Sequence, residues 1–172
     1  WMEVAGVIKS GKKKVVAITS PSVRVGLGEE FGMEAGSYVE KQMVAALRSV
    51  GVNYVFDTTF AADLTIMEEA SELIDRIQNK KPLPQFTSCC PAWVKYVEEE
   101  APQFLKNISS CKSPMEMFAA VLKDRCARQD AEDGRTTYHI AVMPCTAKKM
   151  EAQRPEFRHD GVPDVDLVLT TR

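Results

Sequence analysis

The sequence has 172 residues, of which 45% are hydrophobic and 27% are charged, proportions that are ordinary for a globular domain. Its formal net charge of -2 gives no broad basic field, so nucleic acid is not expected as a partner. No apolar run approaches the ~20 residues that a membrane helix needs, so no membrane span is expected.

Short β-branched runs alternate along the chain with amphipathic stretches. Lys14–Thr19 has the composition of a buried strand and is followed by the turn-forming segment Ser20–Ser22. The glycine-rich segment Gly26–Gly36 is predicted to be a loop. Ser37–Val50 carries apolar residues at helical spacing, and Val52–Phe56 predicts a second strand.

The middle of the chain predicts two helices that are separated by a short extended piece. Phe60–Lys80 is predicted to be a long helix that ends before two prolines, and Gln85–Ser88 is predicted to be extended. A further helix is expected from Pro91 up to Pro102, because proline fits the first helical turn. The apolar side of the long helix carries Leu64, Met67, Leu73 and Ile77.

The last third of the chain continues the alternation. Pro114 begins another predicted helix, and Tyr138–Met143 and Asp164–Leu169 predict two strands. Strands separated by helices imply right-handed βαβ units, so the expected fold class is α/β, with a mostly parallel sheet flanked by helices. The residues of the last helix that are expected to face inward are Met117, Val121 and Leu122.

The two ends of the sequence suggest a piece of a longer polypeptide. The chain stops at Arg172, just after a predicted strand and where the next helix is expected. It opens at Trp1 rather than at a methionine, which leaves the presence of an upstream signal open. In α/β sheets, functional groups gather where strands end and helices begin. The residue pairs at such places are Pro21-Ser22, Cys89-Cys90 and Pro144-Cys145.

Five cysteines are spread unevenly along the chain. An odd number, with two of them adjacent, suits a reducing interior better than a disulfide framework, so a cytoplasmic location is expected. Cys111 and Cys126 have no distinctive context and are interpreted as small core residues.

Cys89 and Cys90 lie where an extended segment ends and Pro91 begins a helix. The positive end of that helix stabilises the thiolate, which is the form that binds a metal. Neighbouring side chains of an extended segment point to opposite sides. One cysteine can therefore ligate a metal while the other faces a channel or a substrate.

Cys145 repeats the pattern, because a strand ends at this cysteine and a helix follows. Lys148 lies three residues later and hence on the same helical face. Its ammonium group has three donors for an anionic ligand beside the thiolate. Structural zinc is the alternative, but its sites favour paired C-x2-C motifs, which the sequence lacks.

The segments TSCCPAW and MPCTAKKME resemble the first two signature motifs of the iron-only (FeFe) hydrogenases. FDTTFAADLTIMEEASEL and NISSCKSPMEMF are also similar to sequences of that family. The resemblance implies the H-cluster as cofactor. It consists of a 4Fe-4S cluster joined through one cysteine sulfur to a two-iron centre that carries CO, cyanide and a bridging dithiolate amine. The implied activity is the reversible oxidation of H2, or reduction of protons, by an oxidoreductase.

The resemblance also assigns roles around the cofactor. Cys90 and Cys145 would ligate the 4Fe-4S cluster, and Lys148 would hold a cyanide ligand through a charge-assisted hydrogen bond. Cys89 would stay free of metal and relay protons to the bridging amine. The residues expected to surround the two-iron centre besides Lys148 are Ser20, Pro21, Ser22 and Met143.

Proton delivery in the family runs through two glutamates and a serine to the free cysteine. Glu69 and Glu72 match the carboxylates, and Ser109 matches the hydroxyl group. Glu69 and Glu72 are three residues apart and share a helix face. Geometry alone also allows Glu68 as the partner of Glu72, and without the resemblance these glutamates would be interpreted as a solvated face.

The sequence lacks the third motif of the family, in which two further cysteines complete the cluster. Residues 1–172 are therefore expected to be the N-terminal half of the catalytic domain, inactive alone. The expected partners are the remainder of that domain or a companion chain with two more cysteines, a ferredoxin-like carrier or electron-transfer subunits, and maturation proteins. Ser20 replaces a usual alanine and Met115 a frequent glutamine, which weakly suggests a subgroup of multisubunit enzymes.

Three alternatives remain open. A hydrogen sensor would keep the cofactor, but sensors tend to lose the proton route that is intact here. A hydrogenase-like iron–sulfur protein of cluster assembly would have no turnover, and such relatives usually lack counterparts of Cys89 and Lys148. A purely structural α/β domain would leave the two cysteine motifs without a purpose.

Overall fold

The structure of the chain is a computed structural model. It describes the backbone of residues 1–171 and their side chains other than those of 127–131 and 133. Within these residues, the α-helices are α1 (Met2–Ser10), α2 (Val23–Gly26), α3 (Glu40–Ser49), α4 (Thr59–Gln78), α5 (Pro91–Glu100), α6 (Pro114–Asp133) and α7 (Ala147–Glu151). The strands are β1 (Lys14–Thr19), β2 (Tyr54–Asp57), β3 (Thr137–Met143), β4 (Arg158–His159), β5 (Val162–Pro163) and β6 (Leu167–Thr170).

Four of the strands form one parallel sheet in the order β2-β1-β3-β6. In the register of this sheet, Val16 of β1 lies opposite Tyr54 of β2 and His139 of β3. The parallel α/β fold predicted from the sequence is therefore confirmed. Parallel pairing also brings the carboxyl ends of β1, β2 and β3 to one edge of the sheet, where the chain turns into its functional segments.

Helices cover both faces of the sheet, and a hydrophobic cluster fills each interface. Alternate residues of β1 and β3 point to opposite faces, as the pleat requires. On one face, Val16, Ile18, Ala141 and Met143 pack with α4 and α6 residues, among them Ala61, Phe118 and Leu122. On the other face, Val15, Ala17, Tyr138 and Ile140 pack with Val4 of α1 and with Leu47 of α3.

Most predicted elements are present, with differences at their ends. β1 has the predicted bounds, whereas the last strand of the sheet begins at Leu167 rather than at Asp164. Part of the predicted loop Gly26–Gly36 is instead a 3-10 helix, Leu27–Phe31, which ends at Gly32 with the positive φ that favours glycine. The N-terminal helix α1 was not predicted. It packs Val4 against the sheet and ends at Gly11, also at a positive φ.

Two predictions of inward-facing residues need correction. Val121 of α6 is 41% exposed, although its neighbour Leu122 is buried as predicted. The apolar side of α4 that carries Met67, Leu73 and Ile77 faces outward, and each of these side chains is at least 40% exposed. The periodicity identified an apolar face of α4 correctly, but this chain does not cover that face.

Among the described residues, no helix is both long and apolar enough to cross a membrane.

His139 is a fully buried polar residue on the central strand β3, and neither of its ring nitrogens has a hydrogen-bond partner among the described residues. Burial, and secondarily the positive charge of Lys123, lower the pKa of His139 from 6.5 to about 3. The folded state therefore binds fewer protons here than the unfolded state between these two values. As a result, this group destabilises the fold progressively as the pH falls below 6.5.

We predict that His139→Leu makes the chain less sensitive to acid, because the variant has no imidazole that must stay neutral when buried. Urea unfolding at about pH 7 and about pH 5 measures the effect. The parent should lose about 2 kcal/mol more stability than the variant over this interval. Equal losses in the two proteins would contradict the prediction.

Candidate active site

A cavity of about 240 Å³ lies at the edge of the sheet where β1, β2 and β3 end. The residues that line it come from five separate segments of the chain: Ser20, Pro21, Thr58, Ala62, Cys89, Pro114, Met115, Met143 and Lys148. Ligands of α/β proteins bind at this edge of the sheet. Five of the residues expected around the two-iron centre therefore share one cavity, namely Ser20, Pro21, Cys89, Met143 and Lys148.

The loop after β1 is fixed by hydrogen bonds at both of its ends. The backbone N–H of Ser20 donates to Val142 O at 3.0 Å, and the guanidinium of Arg24 donates to Pro21 O at 3.1 Å. Arg24 is itself held by an ion pair with Asp57 at 2.9 Å. Ser22 lies just outside the cavity lining, with its hydroxyl oxygen 3.2 Å from that of Ser20. The loop thus presents Ser20 and Pro21 to the cavity in a fixed position.

Lys148 connects the two cysteine segments. Its ammonium group donates to the backbone carbonyl of Cys89 at 2.9 Å and to Glu151 Oε2 at 2.7 Å. Glu151 is almost completely buried, so the ion pair is shielded from water. An ammonium group has three donors, and the described residues of the chain accept hydrogen bonds from two of them. The third is available to a ligand in the cavity that Lys148 lines.

The three cysteines of the motifs occupy different environments. Cys89 and Cys90 are both exposed. Cys89 lines the cavity, and Cys90 lies in extended conformation immediately before Pro91, the first residue of α5. Cys145 is half-buried and precedes α7 by one residue. Cys90 and Cys145 are not among the residues that line the cavity.

The donor set of the described residues fits part of an iron–sulfur site. No group of three or more His, Cys, Asp or Glu side chains among them could hold a metal ion. Cys90 and Cys145, the cysteines expected to be ligands, form no disulfide, so each could offer its sulfur to a metal. A cubane with four thiolate ligands would need two more cysteines from elsewhere.

Glu72 and Ser109 form a direct hydrogen bond. The Ser109 hydroxyl donates to Glu72 Oε2 at 2.6 Å, and the backbone N–H of Ser110 donates to the same oxygen at 3.1 Å. Arg76 pairs with the other carboxylate oxygen at 2.8 Å. Burial opposes ionisation of Glu72, but the hydrogen bonds from Ser109, Arg76 and Ser110 prevail and lower the pKa of this carboxyl.

Glu69 and Glu68 differ in their surroundings. Glu69 is half-buried, and its Oε1 is buried without a hydrogen-bond partner among the described residues. The backbone carbonyl of Glu69 accepts a hydrogen bond from the Gln85 side chain at 3.1 Å. Glu68 is exposed to solvent. Of the two candidates, Glu69 therefore has the environment in which a carboxyl group can take part in a buried proton route.

The sequence analysis missed Arg76, which anchors this region. Its guanidinium is buried and also donates to three backbone carbonyls, those of Pro82, Lys106 and Ile108, at 2.8–3.0 Å. The spacing of Arg76 four residues after Glu72 on a helix was a usable signal. The other unpredicted residues of the site are the cavity-lining Thr58, Ala62 and Pro114, whereas Met115 had been singled out from the sequence as a replacement for a frequent glutamine.

Cys111 also requires a correction. It was interpreted as a core residue but is only half-buried, and its Sγ lies 3.9 Å from Glu72 Oε2. Burial, with secondary contributions from Glu72 and its acidic neighbours, raises the pKa of the Cys111 thiol and keeps it protonated. Cys126 is buried, as predicted.

Comparison with known proteins places this geometry in a family. Residues 13–172 match the family model described as the iron-only hydrogenase large subunit, C-terminal domain. The chain is 46% identical to the periplasmic Fe hydrogenase large subunit of Nitratidesulfovibrio vulgaris, covering all of this chain and 42% of that protein. It is 44% identical to iron hydrogenase 1 of Clostridium pasteurianum over 98% of this chain and 29% of the relative. The chain thus spans less than half the length of these relatives.

A second group of relatives carries names from iron–sulfur assembly. The chain is 34% identical to the cytosolic Fe-S cluster assembly factor narfl of Danio rerio, over 95% of this chain and 42% of that protein. The family thus includes proteins named for two different roles.

Solved structures agree with the family match. A structure of FeFe-hydrogenase HydA that concerns stepwise H-cluster assembly has a TM-score of 0.89 and 38% identity, covering 99% of this chain and 44% of that one. A variant of apo FeFe-hydrogenase HydA1 from Chlamydomonas reinhardtii also has a TM-score of 0.89, with 37% identity over 99% of this chain and 45% of that one. The chain therefore belongs to the iron-only hydrogenase family, within the C-terminal domain of its large subunit.

Proposed function

We propose that this chain forms the first half of the catalytic domain of an iron-only hydrogenase, which interconverts H2 with two protons and two electrons. The observation that carries the proposal is the single cavity that brings Cys89, Lys148 and Met143 together with the Ser20-Pro21 loop. Residues 1–172 would hold one side of the cofactor and be inactive alone. When bound there, a two-iron centre would supply the redox chemistry.

The residues of this chain would bind and orient the cofactor from two directions. Cys90 and Cys145 would supply two thiolate ligands to the 4Fe-4S cluster. Lys148 would donate its third hydrogen bond to an anionic cyanide ligand. Charge-assisted hydrogen bonds of this kind are about twice as strong as hydrogen bonds between neutral groups. Met115 and Met143 would form an apolar wall that limits access of water to the cavity.

Proton movement would use the polar residues behind Cys89. Ser109 and Glu72 are already joined by a 2.6 Å hydrogen bond, and Arg76 is paired with Glu72 at 2.8 Å. The unpartnered oxygen of Glu69 would continue the route. Among the described residues no hydrogen bond joins Glu69 to Cys89, and we assign this link to a bridging water. The Cys89 thiol would then give and take the proton at the cavity.

A partner would have to cover the apolar surface that α4 exposes. Phe60, Met67 and Ile74 are spaced seven residues apart on one side of the helix, and each is more than half exposed. The same Phe60 borders a groove of about 520 Å³ beside β2 that is also lined by Phe118 and Val121. Exposed apolar patches of this kind mark interaction sites. We propose that the remainder of the domain, in the same or a companion chain, covers this surface and supplies two more cysteines.

The remaining partners and the location follow from the chemistry. Electrons would pass to or from a ferredoxin-like carrier or electron-transfer subunits, and maturation proteins would install the two-iron centre. The described cysteines form no disulfide bond with one another, which suits a reducing compartment, and we propose the cytoplasm. Cell fractionation with a periplasmic marker tests this location, since one relative is named as periplasmic.

A second candidate function is a role in iron–sulfur cluster assembly without turnover of H2. It is favoured by the 34% identity to proteins named as cluster assembly factors. Cys89 and Lys148 in the cavity favour the hydrogenase, because each has a task beside a two-iron centre and neither is needed to ligate a cubane.

We predict that Cys89→Ser and Cys90→Ser in the complete protein have different effects. Cys89→Ser should abolish H2 evolution while the iron content stays near that of the parent, because its thiol relays protons only. Cys90→Ser should lower the iron content itself, because a ligand is lost. Iron analysis and an H2 assay measure both. Parent activity in Cys89→Ser would show the relay assignment to be wrong.

We also predict that Glu72→Gln slows H2 evolution by roughly 100-fold or more, because the amide cannot exchange a proton along the route. Iron content should not change, since Glu72 is not a ligand. Glu68→Gln, on the exposed face of the same helix, is the matched control and should retain the parent rate. Equal rates in the two variants would contradict the proposed route.

A third prediction concerns the apolar surface of α4. Met67→Glu combined with Ile74→Glu should weaken binding of the remainder of the domain, expressed as a separate tagged chain, because two carboxylates would be buried at the interface. Val50→Glu, at the end of α3, changes a side chain that is equally exposed and serves as the control. Affinity measured by pull-down should fall for the double variant only. Unchanged binding would show that this surface is not the interface.

A further inference from the structure

Glu116 is the least expected buried side chain of the fold. It lies in the first turn of α6, is completely inaccessible to solvent, and has no hydrogen-bond partner for either carboxylate oxygen among the described residues. Its neighbour in sequence, Met115, lines the active-site cavity, whereas Glu116 does not. An ionised carboxylate is very costly in such a place without a partner.

Helix capping does not explain Glu116. Ser113 and Glu116 have the spacing of a capping box, in which each side chain bonds the other residue's backbone N–H. Only one half of that box is present, because Ser113 Oγ accepts from Glu116 N at 3.5 Å while the Glu116 oxygens remain unpartnered. The side chain is therefore directed away from the helix end and into the interior.

The charges around Glu116 do not balance if it is ionised. The neighbouring carboxylates are Glu151 and Asp164, both almost completely buried. Each already has its own ammonium partner, since Lys148 pairs with Glu151 at 2.7 Å and Lys112 pairs with Asp164 at 2.5 Å. The remaining titratable group of the cluster, His159, lies on the outside, 3.5 Å from Asp164. The cluster thus contains three carboxyl groups and two ammonium groups. Its net charge is zero if one of the carboxyl groups is protonated.

We propose that Glu116 is a protonated carboxylic acid that sets the charge around Lys148 and thereby positions its ammonium group toward the cavity. With Glu116 neutral, Glu151 is the single counter-ion of Lys148, whose third donor remains free for an anionic ligand. Ionised Glu116 would add a second negative charge and draw the ammonium group away from the ligand. Glu116 is a positioning residue, since it acts through Lys148 and does not line the cavity.

Electrostatics agree with this geometry. Burial, reinforced by Glu151 and Asp164, raises the pKa of Glu116 from 4.5 to about 8, although Lys148 and Lys112 oppose the shift. The proton is therefore held at neutral pH and lost in mildly alkaline solution. The protonation of Glu116 depends only on residues of this chain. The effect of Glu116 on a cofactor ligand rests on the function proposed above.

The test is an infrared pH titration of the complete protein prepared without maturation proteins, so that no two-iron centre is needed. The difference spectrum between parent and Glu116→Gln should show the carbonyl band of a protonated carboxylic acid at neutral pH. The band should disappear as the pH rises through about 8. Absence of this band from a folded parent at neutral pH would overturn the proposal.

Variants of Glu151 and Lys148 test the same protonation through the pH at which the carboxylic acid band disappears. They can be measured even if Glu116→Gln does not fold. Glu151→Gln should make the carboxylic acid band disappear at lower pH, because a like charge is removed. Lys148→Met should make the band persist to higher pH, because a cation is removed. Lys149→Met is the matched control, because Lys149 is the next residue and is exposed. This variant should leave the pH midpoint of the carboxylic acid band unchanged. If the pH midpoint of the carboxylic acid band shifts equally in Lys148→Met and Lys149→Met, the proposed coupling of Glu116 to Lys148 is overturned.

The matured protein separates this inference from the proposed function. The cyanide stretching bands of the parent should shift as the pH rises through about 8, whereas those of Glu116→Gln should stay constant. Cyanide bands that do not respond to pH in the parent would overturn the positioning role. Complete absence of cyanide bands, with the carboxylic acid band retained, would instead contradict the function proposed for the chain.

Discussion

The hydrogen bond from Lys148 to the carbonyl of Cys89 is the contact on which the geometry of the site depends. It joins the segment after β3 to the segment before α5, two pieces of chain that are 59 residues apart. A lysine in a mostly buried position must find acceptors, and Cys89 O and Glu151 supply two of them. Because the same ammonium group lines the cavity, the contact that assembles the cysteine segments also leaves a cationic donor facing the ligand.

Glu72, which is half-buried, and Glu116, which is completely buried, are expected to be in opposite protonation states. Glu72 receives hydrogen bonds from Ser109, Ser110 and Arg76, so its carboxylate is stabilised. Glu116 receives none from the described residues, and its neighbouring carboxylates, Glu151 and Asp164, already have partners, so its neutral form is favoured. The local supply of donors, rather than depth of burial alone, decides which group carries charge. The two glutamates can therefore serve separate tasks, proton movement at Glu72 and charge balance at Glu116.

The sequence was sufficient for the parallel sheet and for part of the cavity lining. β1 and β3 were visible as β-branched runs. Lys148 was identified from the motif that follows β3, and Cys89 from the motif that precedes α5. Periodicity located the apolar side of α4 but could not show that it faces outward, because burial depends on what packs there. Charge balance around Glu116 was also invisible, since Asp164 and Glu151 are brought to it only by tertiary structure. The α1 helix was missed because its pattern is short and lies outside the quoted motifs.

The central claim is that this cavity, once the domain is complete, holds a two-iron centre whose cyanide ligand is bound by Lys148. Infrared spectroscopy of the complete, matured protein and of Lys148→Met tests it most directly, because CO and cyanide ligands absorb where protein groups do not. The account predicts CO and cyanide bands in the parent, and cyanide bands that shift or disappear in the variant. A matured protein without such bands, or a variant whose cyanide bands are identical to those of the parent, would contradict the account.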